Sequence, residues 1–376
     1  MKPRRYEAGS AGAAPAFRCS ILIPLRASRP RSQASLIRLA VLVLVFFSPL
    51  YPRITSGQPA TGLKVYRGSL GDKHVEMKLK IEGSRVSGTY FYDLFKQDLQ
   101  LTGAYNPSGT LELTETGPKG KPTGKLVCKK AAEALAIDLD CEWSRPDGTG
   151  KIPTIFSEQF VDFHTRVQLV PKTVITRSLN LSASYPQLTG TNGSAVSAFN
   201  SRIEGIAQQE VKAYAKDPNP GGSFDLNYNV MLATDELVSI ELNEEICCGA
   251  HPTESVSTLT YDLVANKELV LADLFKAGVD YKTAIATYVA ADINRRAEQI
   301  EQEEATREGR KVEKRQEPFM TTDSLPEMST WAITPQGVAV YFDFPHALAV
   351  FTKTIVPFSV LREQLKPEGP AARFTH

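Results

Sequence analysis

The stretch Val75-Glu-Met-Lys-Leu-Lys-Ile-Glu-Gly-Ser-Arg-Val-Ser-Gly-Thr-Tyr90 decides the fold of the first half of the chain. Val75, Met77, Leu79 and Ile81 alternate with Glu76, Lys78, Lys80 and Glu82, the period-2 pattern of a strand with one buried face. Glu82-Gly-Ser84 interrupts it with turn residues, and alternation resumes at Val86, Tyr90 and Tyr92. Similar bursts follow at Leu99 and Leu101, Leu111 and Leu113, Leu126 and Cys128, then Leu135, Ile137, Leu139, Cys141 and Trp143. Asn106-Pro-Ser-Gly109, Gly117-Pro-Lys-Gly120 and Pro146-Asp-Gly148 separate them with residues that tolerate turn angles. Residues 63–150 are expected to form an all-β meander that curls into a small barrel or sandwich.

Beyond that module the pattern changes. Residues 151–172 read as a connecting strand, with a boundary near Gly148-Thr-Gly150 or Pro171. Leu179, Leu181, Ala183 and Tyr185 alternate as a strand, and 191–216 reads as a helix from the spacing of Phe199, Ile203, Ile206 and Val211. Strands are expected at 224–232, 237–244, 255–262, 331–334, 338–344 and 354–358, and helices at 271–275 and 281–300. From Arg295 to Glu317 seven basic and seven acidic residues intermix, which predicts a solvated helical extension. The expected class is α+β: the β-rich module, then residues 173–366 as an antiparallel sheet with helices on one face, and a tail at 367–376.

A chain of 376 residues is long enough for two ordinary domains. Lys plus Arg total 43 against 42 for Asp plus Glu, so charge gives no reason to expect nucleic acid as a partner. The longest apolar run, Leu39 to Leu50, follows Arg26, Arg29, Arg31 and Arg38 with no acidic residue between, in the order of a secretory signal. At about a dozen residues it is shorter than the about 20 needed to span a bilayer, so residues 1–60 read as a leader and signal segment. The expected location is periplasmic or secreted, with any membrane contact through an uncleaved N-terminal anchor. Export favours disulfides, and Cys128 with Cys141, on the inward phase of consecutive strands, form the preferred pair. The tandem Cys247 and Cys248 hold either a strained vicinal disulfide or thiols.

Tyr66-Arg-Gly68, Val86-Ser-Gly-Thr-Tyr90, Leu99-Gln-Leu-Thr-Gly103, Leu111-Glu-Leu-Thr-Glu115 and Trp143 resemble a β-rich module of exported bacterial proteins that carries no catalytic residue. Residues 171–366 resemble the extracytoplasmic C-terminal domain family of the lysozyme-sensing anti-sigma factor RsiV and of the non-catalytic part of the deacetylase PdaC. The motifs, in order, are Leu181-Ser-Ala-Ser-Tyr-Pro-Gln-Leu-Thr-Gly190, Phe199-Asn-Ser-Arg-Ile203, Gly249-Ala-His-Pro252, Leu259-Thr-Tyr-Asp262, Leu269-Val-Leu-Ala-Asp-Leu-Phe275 and Thr334-Pro-Gln-Gly-Val-Ala-Val-Tyr-Phe342. The pattern departs at Phe344-Pro-His-Ala-Leu-Ala-Val-Phe351, where the family more often has a Pro-Tyr, small residues and a glycine.

That resemblance implies a module binding a macromolecule, a lysozyme-like protein or peptidoglycan, through loops holding Cys247, Cys248, His251, Pro252, Phe344, His346 and Phe351. His251 reads first as a turn residue bonding backbone carbonyls, with Glu244, Glu245 and Glu254 near enough in sequence to make a convergent site the alternative. His74, His164 and His346 have no acidic or thiol neighbour at useful spacing. Tyr90, Phe91, Tyr92 and Phe95 read as core filling ahead of a sugar-stacking platform. No G-x-S-x-G, H-E-x-x-H or P-loop pattern occurs, so no catalytic residue, metal ligand or cofactor is expected. The alternative is an envelope hydrolase or deacetylase with an unrecognised site.

Overall fold

Strands β1 (Gly62–Leu70) and β2 (Lys73–Glu82) pair antiparallel, with Val75, Met77, Leu79 and Ile81 buried and Lys78 and Lys80 exposed, as their alternation requires. The computed structural model describes residues 62–95, 97–130, 138–247, 252–312 and 317–374, all within one compact unit. The leader, Leu135 and Ile137 lie outside the described residues. β3 (Arg85–Tyr92), β4 (Leu99–Tyr105), β5 (Leu111–Thr116), β6 (Pro122–Lys130), β7 (Asp138–Ser144) and β8 (Ile152–Gln159) each join their predecessor antiparallel. β8 then returns to β1, Gly68 opposite Phe156, and closes an eight-stranded barrel. Closure satisfies the edge hydrogen bonds that an open meander would expose.

Leu101, Leu111, Leu113, Leu126, Tyr66, Tyr90 and Phe156 join the β2 residues in the barrel core. Each fully buried side chain of this size contributes about 1.5–3 kcal/mol. Tight curvature demands glycine: a Cβ at Gly88 would meet the Lys78 carbonyl oxygen at 2.0 Å, and one at Gly103 the Glu112 carbonyl oxygen at 1.8 Å. Cys128 and Cys141 stand directly opposite one another on β6 and β7, buried and joined by a disulfide. Within the segment 151–172, expected as a connecting strand, residues 152–159 close the barrel, with Phe156 pointing inward to complete the core, while 161–162 and 168–172 belong to the large sheet.

The rest is built from two sheets, each carrying one long helix. β9 (Val161–Asp162), β10 (Gln168–Thr176), β11 (Leu181–Thr189), β12 (Ser223–Thr234), β13 (Leu237–Cys247), β14 (Thr253–Asp262) and β15 (Lys267–Glu268) form the large sheet. Helix α1 (Ser194–Lys216) packs Val196, Phe199, Ile203, Ala207 and Tyr214 on one face of it. Because α1 is a crossover, β11 and β12 run parallel, while the other ladders of β10 to β15 are antiparallel.

β16 (Met328–Ile333), β17 (Gly337–Phe342) and β18 (Lys353–Pro357) make a small antiparallel sheet. It meets the opposite face of the large sheet through Ser239, Met231 and Thr258. Helix α2 (Tyr281–Glu308) covers its outer side with Ile285, Val289, Ile293 and Ala297. The side chain of Asp280 caps α2, and Gly309 ends it at φ 69°, so the charged extension expected to 317 stops at Glu308. A short α3 (Phe358–Leu361) follows β18.

Candidate functional site

Alternation along β1 turns Tyr66 into the barrel and Arg67 out of it, yet Arg67 is only 1% exposed. It is covered by the large sheet. β11 and β12 pair only over Leu181–Ala183 and Phe224–Leu226 and then part. The barrel fills the gap. Arg67 donates through Nη1 and Nη2 to Asp93 at 3.3 and 2.6 Å, through Nε to the Tyr228 carbonyl at 3.1 Å, and to the Tyr228 hydroxyl and Asn227 Oδ1 at 3.0 Å each. Its guanidinium lies 3.7 Å from the centre of the Tyr228 ring. Glu76 stands 3.7 Å from Arg67 and 3.1 Å from Lys78. Further along β12 the Val230 amide donates to the Gln159 side chain, Phe160 exchanges backbone hydrogen bonds with Val230 and Ala233, and β9 pairs with Ala233 and Thr234.

Burial works against both charges of the central pair, and their contacts overcome it. Burial would lower the Arg67 pKa, but Tyr228 and Asp93 raise it above its ordinary value. Burial pushes the Asp93 carboxyl up, but Arg67 and a hydrogen bond from Ser184 leave it below the usual carboxylate range. Both groups are therefore ionised at neutral pH.

Two cavities flank this seam. The larger, about 990 Å³, is walled by Phe91, Phe160, Phe163 and Val167 and carries the ion pairs Lys64–Glu158 at 2.6 Å and Lys78–Glu76 at 3.1 Å. The smaller, about 560 Å³, is lined by His74, Asp93, Thr173, Arg177, Asp225 and Glu245. There His74 Nδ1 lies 3.1 Å from Ser69 Oγ, and Nε2 lies 3.0 Å from Asp225 Oδ1 but off the line that a hydrogen bond needs. Among the described residues no three His, Cys, Asp or Glu groups gather as a metal site.

Two other buried carboxylates have structural surroundings. Between the sheets, burial pushes Glu241 up, but Lys353 at 2.7 Å, Tyr341 and Asn229 hold its pKa at about 2. In the barrel, Glu115 accepts from Tyr90, Thr123 and Trp143 Nε1.

The residues singled out from the sequence are distributed differently. His251 and Cys248 lie outside the described residues. Cys247 ends β13, half-buried and disulfide-bonded, and Pro252 leads into β14. The segment 344–351 links β17 to β18. In it His346 is exposed and Phe344 half-buried, while Phe351 is 4% exposed, packed on Phe319 and lying beneath Arg296. Phe351 thus belongs to the hydrophobic core that α2 covers. Tyr90 is core, whereas Phe91, on the opposite face of β3, walls the larger cavity. Arg67 and His74 carried no local signal: β12 brings Asp225 to His74 from a distant part of the chain, beyond what sequence spacing around His74 could show.

Residues 272–345 match a protein-family model described as "Protein of unknown function (DUF3298)". Among solved structures, a DUF3298 family protein from Pseudomonas aeruginosa PAO1 aligns with 16% identity and a TM-score of 0.36, over 54% of this chain and 94% of that one. A member of the same family from Bacteroides fragilis NCTC 9343 aligns with 12% identity and a TM-score of 0.33, over 56% of this chain and 95% of its own. No curated protein matches. The matched span runs from the turn after β15 through α2 to the end of the small sheet's central strand and its following loop, and a DUF3298 domain is found at residues 272–345.

Proposed function

We propose that this chain is an exported, non-catalytic binding protein that takes a cell-wall glycan in the larger cavity between the barrel and β10. The observation that carries the reading is the wall of that cavity: three phenylalanines, Phe91, Phe160 and Phe163, beside two ion pairs. Sugar rings stack on aromatic faces, and the amide and carboxylate substituents of peptidoglycan suit paired Lys and Glu side chains. A groove walled by several elements fits a polymer strand better than a second globular surface, so peptidoglycan is favoured over a lysozyme-like protein. The segment 344–351, to which the family resemblance also points, is the second candidate contact.

Export rests on the order of basic and apolar residues before position 51, and the Cys128–Cys141 disulfide fits an oxidising compartment. Cell fractionation tests it: recovery only with cytoplasmic markers overturns export.

Ligand choice is tested by equilibrium binding of the purified protein to peptidoglycan fragments and to lysozyme. Peptidoglycan fragments should be retained, and Phe91→Ala and Lys78→Ala should each weaken binding about 5- to 30-fold. Retention of neither ligand overturns the reading. Weakening only by Phe344→Ala and His346→Ala moves the site to the loops.

A further inference from the structure

We propose that the smaller cavity is a divalent-cation site of the zinc class, held by His74 from the barrel and by Asp225 and Glu245 from the large sheet. His74 is 5% exposed, and its Nε2 has no hydrogen-bond partner although it faces the cavity. Buried nitrogens of this kind are rarely left unsatisfied, so the atom asks for a partner. Asp225 Oδ1 lies 3.0 Å away without forming a hydrogen bond. An imidazole nitrogen and a carboxylate oxygen bound to one zinc ion at about 2.0–2.2 Å each stand about 3.0–3.5 Å apart, so the pair already has the spacing of two ligands. In the tautomer that carries its proton on Nδ1, 3.1 Å from Ser69 Oγ, Nε2 presents its lone pair to the cavity, the usual way a ligating imidazole is oriented.

The large sheet supplies negative charge at the same place. Asp225 is in register with Glu245 across β12 and β13, and Glu245 with Glu254 across β13 and β14. Like charges directly opposite one another destabilise a sheet, and a bound cation removes that repulsion. Of the cationic side chains lining the cavity, Lys73 is paired with Asp72 at 2.7 Å and Arg177 is exposed. Two ligands stand together as built. The exposed Glu245 carboxylate, in the position next to Asp225, becomes the third by rotating its own side chain, and water completes a tetrahedral set. Nitrogen in the donor set favours zinc over magnesium, which prefers oxygen alone.

The test is titration of the purified, metal-free protein with zinc or magnesium, followed by calorimetry and by thermal unfolding. One equivalent of zinc should bind and raise the thermal midpoint saturably, and magnesium at the same concentration should not. His74→Gln and Asp225→Asn should abolish the response, Glu245→Gln should weaken binding at least tenfold, and Ser69→Ala by about 10- to 100-fold. Since Glu245 is exposed, Glu245→Gln remains informative if a variant at His74 does not fold. Absence of saturable zinc uptake overturns the proposal, and so does uptake unchanged by Glu245→Gln and His74→Gln, which would place the metal on other groups.

Discussion

A guanidinium taken out of water loses several kilocalories per mole of hydration, and at Arg67 that loss is offset by contacts from both sides of the seam: Glu76 and Asp93 from the barrel, Asn227 and Tyr228 from β12. Removing Arg67 leaves the Asp93 carboxylate buried with only the Ser184 hydroxyl still bonding its side chain. Arg67→Met is therefore expected to destabilise the protein by about 3–5 kcal/mol, read as a fall in the urea midpoint, and Arg67→Lys should recover only part of it because an ammonium cannot reproduce the fork to Asp93. A loss under about 1 kcal/mol for Arg67→Met would show that hydrophobic contacts alone hold the seam. The same residues set the response to acid. Asp93 and Glu241 both have folded-state pKa values below their unfolded ones, so each contributes stability above about pH 4 that is lost as pH falls through the folded value. For Glu241, held at about 2, that contribution is on the order of 3 kcal/mol and disappears between about pH 4.3 and 2. Unfolding free energy should thus decline over this window, and Glu241→Gln should flatten the decline while lowering stability at pH 7.

At the level of elements, the disulfide and the helix ends show what local pattern can and cannot specify. Cys128 and Cys141 are 13 residues apart on neighbouring strands in direct register. Closing a loop of this length stabilises by about 3 kcal/mol in the chain-entropy view, so the double variant Cys128→Ser, Cys141→Ser should lose about that much by urea unfolding. Equal midpoints for the two proteins would mean that the ladder between β6 and β7 alone fixes the hairpin. The pairing was legible because both cysteines share the inward phase of adjacent alternating segments. The helices were legible for a similar reason: Phe199 and Ile203, or Ile285, Val289 and Ile293, repeat at helical spacing. The end of α2 was misread because intermixed acidic and basic residues continue past Gly309, while the left-handed angle of that glycine stops the helix. β8 was expected within a connecting strand, and its place in the barrel shows only when its inward Phe156 is seen with the barrel closed on β1.

At the scale of the molecule, the candidate site depends on which surfaces the chain brings together, and that information is long-range. Arg67 sits in a segment that reads as an ordinary half-buried strand, and nothing within ten residues signals Tyr228 or Asn227. His74 and Asp225 are equally remote in sequence, and only the docking of the barrel against β12 brings them together. The seam has a thermodynamic consequence. Hydrogen bonds from Arg67, Gln159 and Phe160 to β12, together with the β9–β12 ladder, tie the barrel to the centre of the large sheet, so neither part can open without exposing the other's buried polar groups. Barrel and sheets should unfold in one cooperative transition, although the chain is long enough for two independent domains. Calorimetry checks this: a single peak is expected with equal calorimetric and van't Hoff enthalpies. Arg67→Met combined with Asp93→Asn should split it into two, the barrel's disulfide holding the later one. Two peaks in the unaltered protein would show that the seam only apposes two self-sufficient bodies, and both cavities would then open and close with the motion between them.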